Sequence, residues 1–509
     1  MVSRRHFLVG GLAAVGSAAA GCARGRRGPA PPPHPALGVQ SGDATARGAA
    51  IWCRATGPGQ LFVEWTAGDS FAAATRVAGP RADATADMCA VLDLDGLPPG
   101  ARIRYRCFFR ADSGAAGEAA EGELATAPVA RTTTSLVWSG DVCGQGWGRN
   151  PDRGGYPIFD AMARTKPELF VCSGDLIYAD DPLAPEVRLP DGRVWRNVVT
   201  PAKSRVAQEL ADFRGNFAYN LEDPALRRFA ATTAIAAQWD DHEVRNNWFP
   251  GGTTEGDARY RPRPEQELAG HARRALFEYV PFAGPARRQR RVHRRISRGP
   301  LLDLFLLDGR SYRAANSRGD EPAGPATALL GEAQLSWLER ELAGSRALWK
   351  VIACDLPIGV VVPDETLIEA FAQGLDSPPA GREHEIARLL GFMHRRGIAN
   401  VLFVTADVHY AAAHLYHPDA ARFGPFTPFH ELVAGPLHAG GFGPNPLDPT
   451  FGPTVLFQRA PPAPNPAPWD GYVSFGRIEI DGRSGLIEAS WHGGSGEQLH
   501  RLVIAPAPA

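Results

Sequence analysis

The stretch LFVCSGD at residues 169–175 is a short apolar run that ends in an aspartate, and runs of this form decide the fold. A run of this length, bounded by glycine or polar residues, is typical of a buried strand. Five further runs end in aspartate, at residues 136–141, 235–241, 301–308, 349–355 and 401–407. Helical patterns separate them, at residues 156–166, 224–231, 264–280, 332–342 and 383–396. The sequence therefore predicts an α/β fold with a largely parallel sheet covered on both faces.

The aspartates that end these runs should meet at one place. In such sheets ligands bind at the carboxyl ends of the strands, so several carboxylates, together with His242 and His409, should lie on one rim. Like charges at close range cannot all stay ionised unaided. We therefore expect bound multivalent cations, and the oxygen ligands suit Mg, Ca, Mn or Fe.

Length and composition set the broad class of protein. The chain has 509 residues, of which 44% are hydrophobic, and a net charge of −1. This is enough for more than one domain, and the balanced charge argues against a nucleic-acid binder. The arginine-rich residues 287–298 (RRQRRVHRRISR) are the exception. We favour a solvated edge strand or loop there over a basic rim that attracts anionic substrate.

The first residues resemble a twin-arginine export signal. Arg4 and Arg5 stand just before Phe7 and Leu8, and the apolar residues 8–20 that follow are too short to span a bilayer. Cys22 follows small residues, as in a lipoprotein cleavage site, but leucine is missing from its usual place. We expect export by the twin-arginine machinery to the periplasm, cell envelope or medium, and lipidation of Cys22 stays open.

The composition along the chain predicts three parts. Residues 1–35 are the export signal and a Pro- and Arg-rich tether. Residues 36–130 alternate polar and apolar positions between Gly and Pro clusters, which predicts a small β-sandwich domain. Residues 131–509 form the catalytic domain. Besides Cys22 the cysteines are scattered, and only Cys53 and Cys107, both in strand patterns, are candidates for a disulfide.

Four segments resemble one known family. They are SGDVCGQGWG (139–148), SGDLIYADDP (173–182), QWDDHEVRNNW (238–248) and TADVHY (405–410). They are similar to the alkaline phosphatase D family, which belongs to the calcineurin-like metallophosphoesterases and is related to purple acid phosphatases. The resemblance implies metallophosphoesterase-type layered β-sheets flanked by helices, preceded by a small N-terminal β-sandwich domain.

The resemblance also implies a set of metal ligands. Asp141 matches the first aspartate of the family order, and Asp175 matches the aspartate that bridges two metal ions. Asp241 stands where an asparagine is usual. Asp407 and His409 match the late ligand pair, with aspartate in place of the first histidine. The additional carboxylates should make one site more anionic and favour Ca or Mg over Zn there.

Other residues of these motifs are candidates for catalysis, substrate binding or metal binding. His242 matches the catalytic histidine, and Arg245 and Asn246 in the same motif are the candidates for substrate binding. Tyr178 is similar to the iron-binding tyrosine of the purple and D-type phosphatases, or it is an ordinary hydrogen-bonding tyrosine. Cys143 stands where a histidine is usual and is either a metal ligand or a small buried thiol.

Three aspartates are harder to interpret. Asp240 stays ambiguous because adjacent strand residues point to opposite faces. Asp308 is expected to orient Arg310 or Tyr312 rather than to bind metal, and Asp355 also ends a strand.

The function expected from this resemblance is metal-dependent phosphoester hydrolysis. Two or more metal ions, with Fe(III) and Ca favoured and Mg or Mn as alternatives, would activate a hydroxide that attacks a phosphomonoester or phosphodiester. His242 would protonate the leaving group. The expected substrate is a small-molecule phosphate ester, with no specific nucleic-acid binding. The alternatives are a phospholipase D-like phosphodiesterase and a non-catalytic envelope metal-binding protein.

Overall fold

The computed structural model describes residues 31–507. Arg4, Arg5 and Cys22, on which the export and lipidation predictions rest, lie outside the described residues. No helix in the described part is long and apolar enough to cross a membrane. The helices are α1 Ile158–Arg164, α2 Leu210–Leu221, α3 Pro224–Thr232, α4 Glu265–Tyr279, α5 Gly284–Gln289, α6 Gly331–Gly344 and α7 Glu383–Arg395.

The strands make up most of the remaining regular structure. In the first part of the chain they are β1 Pro35–Gly42, β2 Gly48–Ala55, β3 Gly59–Thr66, β4 Thr75–Ala82, β5 Cys89–Asp95, β6 Arg102–Arg110, β7 Ala120–Ala125, β8 Thr134–Ser139, β9 Leu169–Cys172, β10 Glu186–Arg188, β11 Val194–Arg196 and β12 Ala234–Ala237. In the second part they are β13 Arg294–Ser297, β14 Leu302–Leu306, β15 Trp349–Ala353, β16 Pro363–Asp364, β17 Leu367–Ile368, β18 Val401–Thr405, β19 Ala411–Tyr416, β20 Phe429–Val433, β21 Pro453–Arg459, β22 Ser474–Ile480, β23 Ile487–Gly493 and β24 Gln498–Ile504.

The six aspartate-ended runs all form strands, but they divide between two sheets. Strands β8, β9 and β12 are parallel neighbours in a nine-stranded sheet of order β24-β23-β22-β8-β9-β12-β1-β2-β5. Strands β14, β15 and β18 are parallel neighbours in a seven-stranded sheet of order β13-β14-β15-β18-β20-β19-β21. The single sheet expected from the strand pattern alone is therefore wrong, and the layered sheets are confirmed.

The two sheets pack face to face around a shared core. Val171 on β9 belongs to the same buried cluster as Val351 on β15 and Val404 on β18. Helices α1 to α4 cover the outer face of the nine-stranded sheet, and α6 and α7 cover that of the seven-stranded sheet. The central strands are largely apolar because both of their faces are buried.

The N-terminal part is β-rich, as expected, but it shares a sheet with the rest of the chain. The four-stranded sheet β4-β3-β6-β7 packs on β1, β2 and β5, and β1 is paired with β12 through Gly42 and Ile235. Cys53 on β2 and Cys107 on β6 are buried in this core as free thiols. The disulfide considered from the sequence is not formed in this structure.

Two arginines of the arginine-rich stretch fasten the N-terminal part to the second sheet. Arg294 on the edge strand β13 donates to both carboxylate oxygens of Asp43, at 2.8 and 2.7 Å. Arg298 donates to the Ala44 and Ala125 carbonyls at 2.9 and 3.1 Å. Only 5% of Arg294 and 1% of Arg298 are exposed. The predicted edge strand is present, but the prediction that the stretch is solvated is wrong for these two residues.

Candidate metal and catalytic site

The turns that follow the central strands hold their aspartates in an unusual backbone conformation. Asp141 after β8, Asp175 after β9 and Asp407 after β18 have φ of 61°, 52° and 61°, and His409 has φ of 58°. A left-handed residue other than glycine costs about 1–3 kcal/mol and is often found at functional sites. Gly174 belongs to such a turn, since a Cβ there would lie 2.5 Å from the Cβ of Asp240. The strained turns thus bring the carboxylates of both sheets together.

The first cluster of possible metal ligands contains Asp141, Asp175 and His409, whose ligand atoms lie within 4.8 Å of one another. His409 Nδ1–H donates to the Gly440 carbonyl, which leaves Nε2 as the ring nitrogen that faces the cluster. This Nε2 lies 3.5 Å from Asp141 Oδ1 and 3.0 Å from the hydroxyl of the buried Tyr178. The predicted ligands Asp141, Asp175 and His409, together with Tyr178, are therefore gathered around one point.

Two further clusters overlap with the first. Asp175 also belongs to a group with Asp241 and His242, and Asp241 belongs to a group with Asp240 and Asp407. Asp175 and Asp241 are therefore the two carboxylates that stand in more than one cluster. This sharing is what a bridging ligand between neighbouring cations requires.

The charges of the clusters fit bound cations. Burial raises the pKa of Asp141 and of Asp407 to about 7 and raises the pKa of Asp175 well above its ordinary value. Asp141 Oδ2 is buried and has no hydrogen-bond partner among the described residues. Carboxylates that are destabilised in this way would be satisfied by a cation, and the oxygen and imidazole donors suit the metals expected from the sequence.

A fully buried guanidinium neutralises part of the second cluster. Arg310 is 0% exposed, and its Nε donates to Asp240 Oδ1 at 2.5 Å. Its terminal nitrogens lie 2.6 Å from Glu369, 3.8 Å from Asp241 and 3.9 Å from Asp407. Burial alone would raise the pKa of Asp241, but the charges of Arg310 and His242 lower it to about 2.

The sequence motifs indicate only part of this arrangement. Asp308 accepts hydrogen bonds from the Arg310 N–H and from Trp239, in agreement with the expectation that it orients Arg310. Sequence reasoning did not identify Arg310 or Glu369 as neighbours of the metal ligands. Asp355, 3.7 Å from the guanidinium of Arg310, lies behind the rim.

His242 is held by a carboxylate that sequence reasoning also missed. His242 Nδ1–H donates to Asp180 Oδ1 at 2.7 Å, while Asp180 Oδ2 accepts from the Asn246 N–H at 2.8 Å. The ring of Tyr178 stacks on the imidazole at 4.2 Å. Burial lowers the pKa of His242, but the charges of Asp180, Asp241 and other carboxylates outweigh it and raise that pKa well above its ordinary value. These charges favour the protonated imidazole, and the contacts with Asp180 and Tyr178 fix its orientation.

These groups open into a cavity of about 170 Å³. It is lined by the acids Asp175, Asp241, Glu369 and Asp407, the histidines His242 and His409, the amides Gln145, Asn246 and Asn445, and the apolar Val362, Val408 and Phe442.

Two predicted site residues, Arg245 and Cys143, do not line this cavity, whereas Asn246 does. The guanidinium of Arg245 is turned away: it is bonded to Glu265 at 2.6 Å and lies over the ring of Tyr260. This placement does not support a substrate contact for Arg245. Cys143 is buried, donates to the Trp147 carbonyl at 3.4 Å and is in none of the three clusters. That environment is the one of a small buried thiol.

The fold and the site define a class of protein. Two stacked sheets between helices, with buried aspartates and histidines at the strand ends, are the architecture of a metallophosphoesterase. A family model described as PhoD-like phosphatase matches residues 136–491, and a second, the N-terminal domain of PhoD-like phosphatases, matches residues 21–128. The chain belongs to the PhoD-like phosphatase family.

Comparison with individual proteins agrees with this assignment. Alkaline phosphatase D of Bacillus subtilis (strain 168) is 28% identical over 309 residues, which cover 57% of this chain and 50% of that protein. The chain thus spans about half the length of that curated relative.

Two solved structures share the fold. The structure of PhoD matches with a TM-score of 0.69 at 20% identity, covering 92% of this chain and 88% of that one. Purple acid phosphatase PPD1 from yellow lupin seeds (Lupinus luteus) matches with a TM-score of 0.55 at 11% identity, covering 92% and 74%. These matches confirm the layered fold.

Proposed function

We propose that this protein is a metal-dependent phosphoesterase that acts on small-molecule phosphate esters. The observation that carries the proposal is the overlap of three ligand clusters through Asp175 and Asp241, beside the fixed imidazole of His242. Membership of the phosphatase family supports it. Metal ions held about 3.5–4 Å apart neutralise the charge of a phosphoryl group and activate water for attack on it.

The residues divide naturally between two kinds of cation. Asp141, Asp175 and His409 would hold one ion, and the Tyr178 hydroxyl beside His409 Nε2 is available to the same ion. A phenolate oxygen would favour Fe(III) there. The carboxylates of Asp241 and Asp407, with the shared Asp175, would hold a harder ion, for which Ca is favoured and Mg or Mn are alternatives.

His242 and Asp180 would supply the proton for the leaving group. The Nδ1–H of His242 is bonded to Asp180, so the proton to be transferred is the one on Nε2. The neighbouring Asp180 raises the pKa of His242, which favours the protonated imidazole that a general acid requires. Among the residues that line the cavity, Val362, Val408 and Phe442 offer apolar surface for the organic part of the ester.

Hydrolysis of matched esters before and after metal removal tests the proposal. Purified protein should cleave 4-nitrophenyl phosphate or bis(4-nitrophenyl) phosphate at neutral to alkaline pH, and comparing the two substrates gives the monoester or diester preference. Chelation should abolish the activity, and returning the metals should restore it. Full activity in protein shown by elemental analysis to be free of metal would rule out this function. A visible absorption band would identify a tyrosine–Fe(III) pair.

We also propose that the protein is exported in folded form by the twin-arginine pathway. The support is the arrangement of Arg4 and Arg5 before an apolar stretch. Changing both residues to lysine keeps the charge but removes the signature that the export receptor reads, so the double variant should stay in the cytoplasm with its activity intact. Normal delivery of that variant would refute the assignment. Membrane fractionation of Cys22→Ala separates a lipid anchor from free release.

A further inference from the structure

A second cavity lies behind the turn that carries Asp141. It has a volume of about 360 Å³ and shares no lining residue with the cavity that holds His242. Its walls are largely apolar and include Ile158, Leu437 and Val473. A volume of this size lies in the range of about 300–1,000 Å³ that is usual for small-molecule sites.

Two indole rings form part of the cavity wall. Trp195 and Trp469 both line it, with ring centroids 4.8 Å apart and planes inclined at 46°. The guanidinium of Arg153 lies 4.6 Å from the centre of the Trp469 ring at the edge of the cavity. Aromatic surfaces of this kind favour a flat ring, which gains contact area and the preferred offset or tilted stacking.

One buried polar group in the cavity wall has an unused hydrogen-bonding atom. His438 is 3% exposed, and its Nε2 lies 3.1 Å from the Gly148 carbonyl. A carbonyl only accepts, so Nε2 must carry the proton. A neutral imidazole that carries its proton on one ring nitrogen accepts through the other. Among residues 31–507 the His438 side chain forms one hydrogen bond, through Nε2, so Nδ1 is the acceptor that remains for a ligand.

The indole of Trp469 has a hydrogen-bond donor without an acceptor. Trp469 Nε1 is buried and has no acceptor in the part of the chain that the structure describes. Buried polar groups without partners are rare and costly, at about 1–3 kcal/mol each. A ligand hydroxyl carries one donor, which can pair with the acceptor on His438.

We propose that this cavity binds a planar aromatic ring that carries a hydroxyl group. The ring would pack against Trp195 and Trp469, and the hydroxyl would donate to His438 Nδ1. The site is independent of the phosphoesterase chemistry. The same segment nevertheless supports the catalytic turn, because the N–H groups of His438 and Ala439 both donate to the Asp141 carbonyl, at 3.0 and 3.2 Å.

Fluorine NMR of a small probe provides the test. The resonance of 4-fluorophenol should broaden in the presence of the full-length protein, and 4-fluoroanisole, which has no donor, should bind about tenfold more weakly, the value of one lost hydrogen bond. Inorganic phosphate should displace neither compound. Displacement by phosphate would place the binding in the other cavity, and equal binding of the two probes would refute the role of His438.

Variants locate the site. Trp469→Ala should abolish binding, while the control Trp65→Ala, at a half-buried tryptophan of the four-stranded sheet, should leave it unchanged. His438→Phe should keep the binding of 4-fluoroanisole and lose the preference for 4-fluorophenol. Circular dichroism of each variant shows whether it is folded. Retained 4-fluorophenol binding in folded Trp469→Ala would overturn the proposal, as would preferential binding of methyl glucoside over both aromatic probes.

Discussion

Replacing Asp180 with asparagine should slow the reaction without removing the metals. Asp180 bonds His242 Nδ1 at 2.7 Å and the Asn246 N–H at 2.8 Å, and it belongs to none of the metal-ligand clusters. Only 4% of the residue is exposed, so water screens its charge poorly. Asparagine keeps the size of the side chain but removes the charge that does most to raise the pKa of His242.

The size of the effect follows from this contact. Opposite charges 2.7 Å apart attract by about 6 kcal/mol at an effective dielectric constant of about 20. General acid catalysis contributes about 10²–10⁴-fold, which is about 3–5 kcal/mol. The lost attraction is at least as large, so Asp180→Asn should lose most of the contribution of the acid. The alkaline limb of its pH–rate profile should move to lower pH, because His242 would lose its proton more easily.

A series of aryl phosphates with leaving groups of increasing pKa measures this loss. kcat should fall by about 10²-fold or more for the poorest leaving group, and much less for nitrophenolate, which needs no proton. Asp181→Asn is the matched control, because that neighbouring carboxylate is half-buried and, among the described residues, accepts only from the Gly146 N–H. An equal loss across the series, an unmoved pH profile, or loss of metal in Asp180→Asn would refute the assigned role of the Asp180–His242 pair.

Three further predictions concern the metal ligands and their surroundings. Asp175→Ala should lose metal and activity together, because the residue is shared by two clusters; elemental analysis that finds the full metal content would contradict this. Arg310→Met should lower the free energy of unfolding in urea by about 3–5 kcal/mol because it leaves buried carboxylates unpaired, whereas Arg422→Met, at an exposed ion pair, should leave it nearly unchanged. In chelated protein the pKa values of Asp141 and Asp407 are about 7, which is above their values in the unfolded chain. Their contribution to stability is therefore complete below about pH 4 and is lost as the pH rises towards 7. The free energy of unfolding should fall by about 1.4 kcal/mol per pH unit for each group. Thermal unfolding should show this decline, Asp141→Asn should reduce it, and added metal should reverse it.

The sequence predicted the strands well and their partners poorly. A strand buried on both faces must be apolar throughout, so β8, β9, β12, β14, β15 and β18 all stand out in the sequence. Which of them pair is decided by contacts between residues far apart in the chain, and the division into two sheets was therefore missed. Helix α2 was missed because Gly and Asn interrupt its pattern; Asp212 stabilises its start by accepting from the Glu209 N–H at 3.0 Å.

Residues of the site that stand just after a strand were predicted from the strand pattern. Asp141, Asp175, Asp241 and Asp407 lie together because parallel strands bring their carboxyl ends to one edge. The direction of a side chain within a turn is not encoded in the same way, so Arg245 was placed at the cavity from its motif alone. The pairing of Asp180 with His242 and of Arg310 with Asp240 was not predicted, because the partners lie 62 and 70 residues apart in the chain with no spacing pattern to reveal them.

Arg294 and Arg298 also determine the order in which the chain can complete its fold. A growing chain contains Asp43 and strands β3 to β7 long before Arg294 and Arg298 have been synthesised. Until then Asp43 has no buried cation beside it, and until residue 237 has been made β1 also lacks its neighbour β12. The N-terminal part is thus synthesised first, but its contacts with Arg294 and Arg298 form late. A nascent chain that stops short of β13 would leave an open sheet edge exposed to proteases and to other unfinished chains.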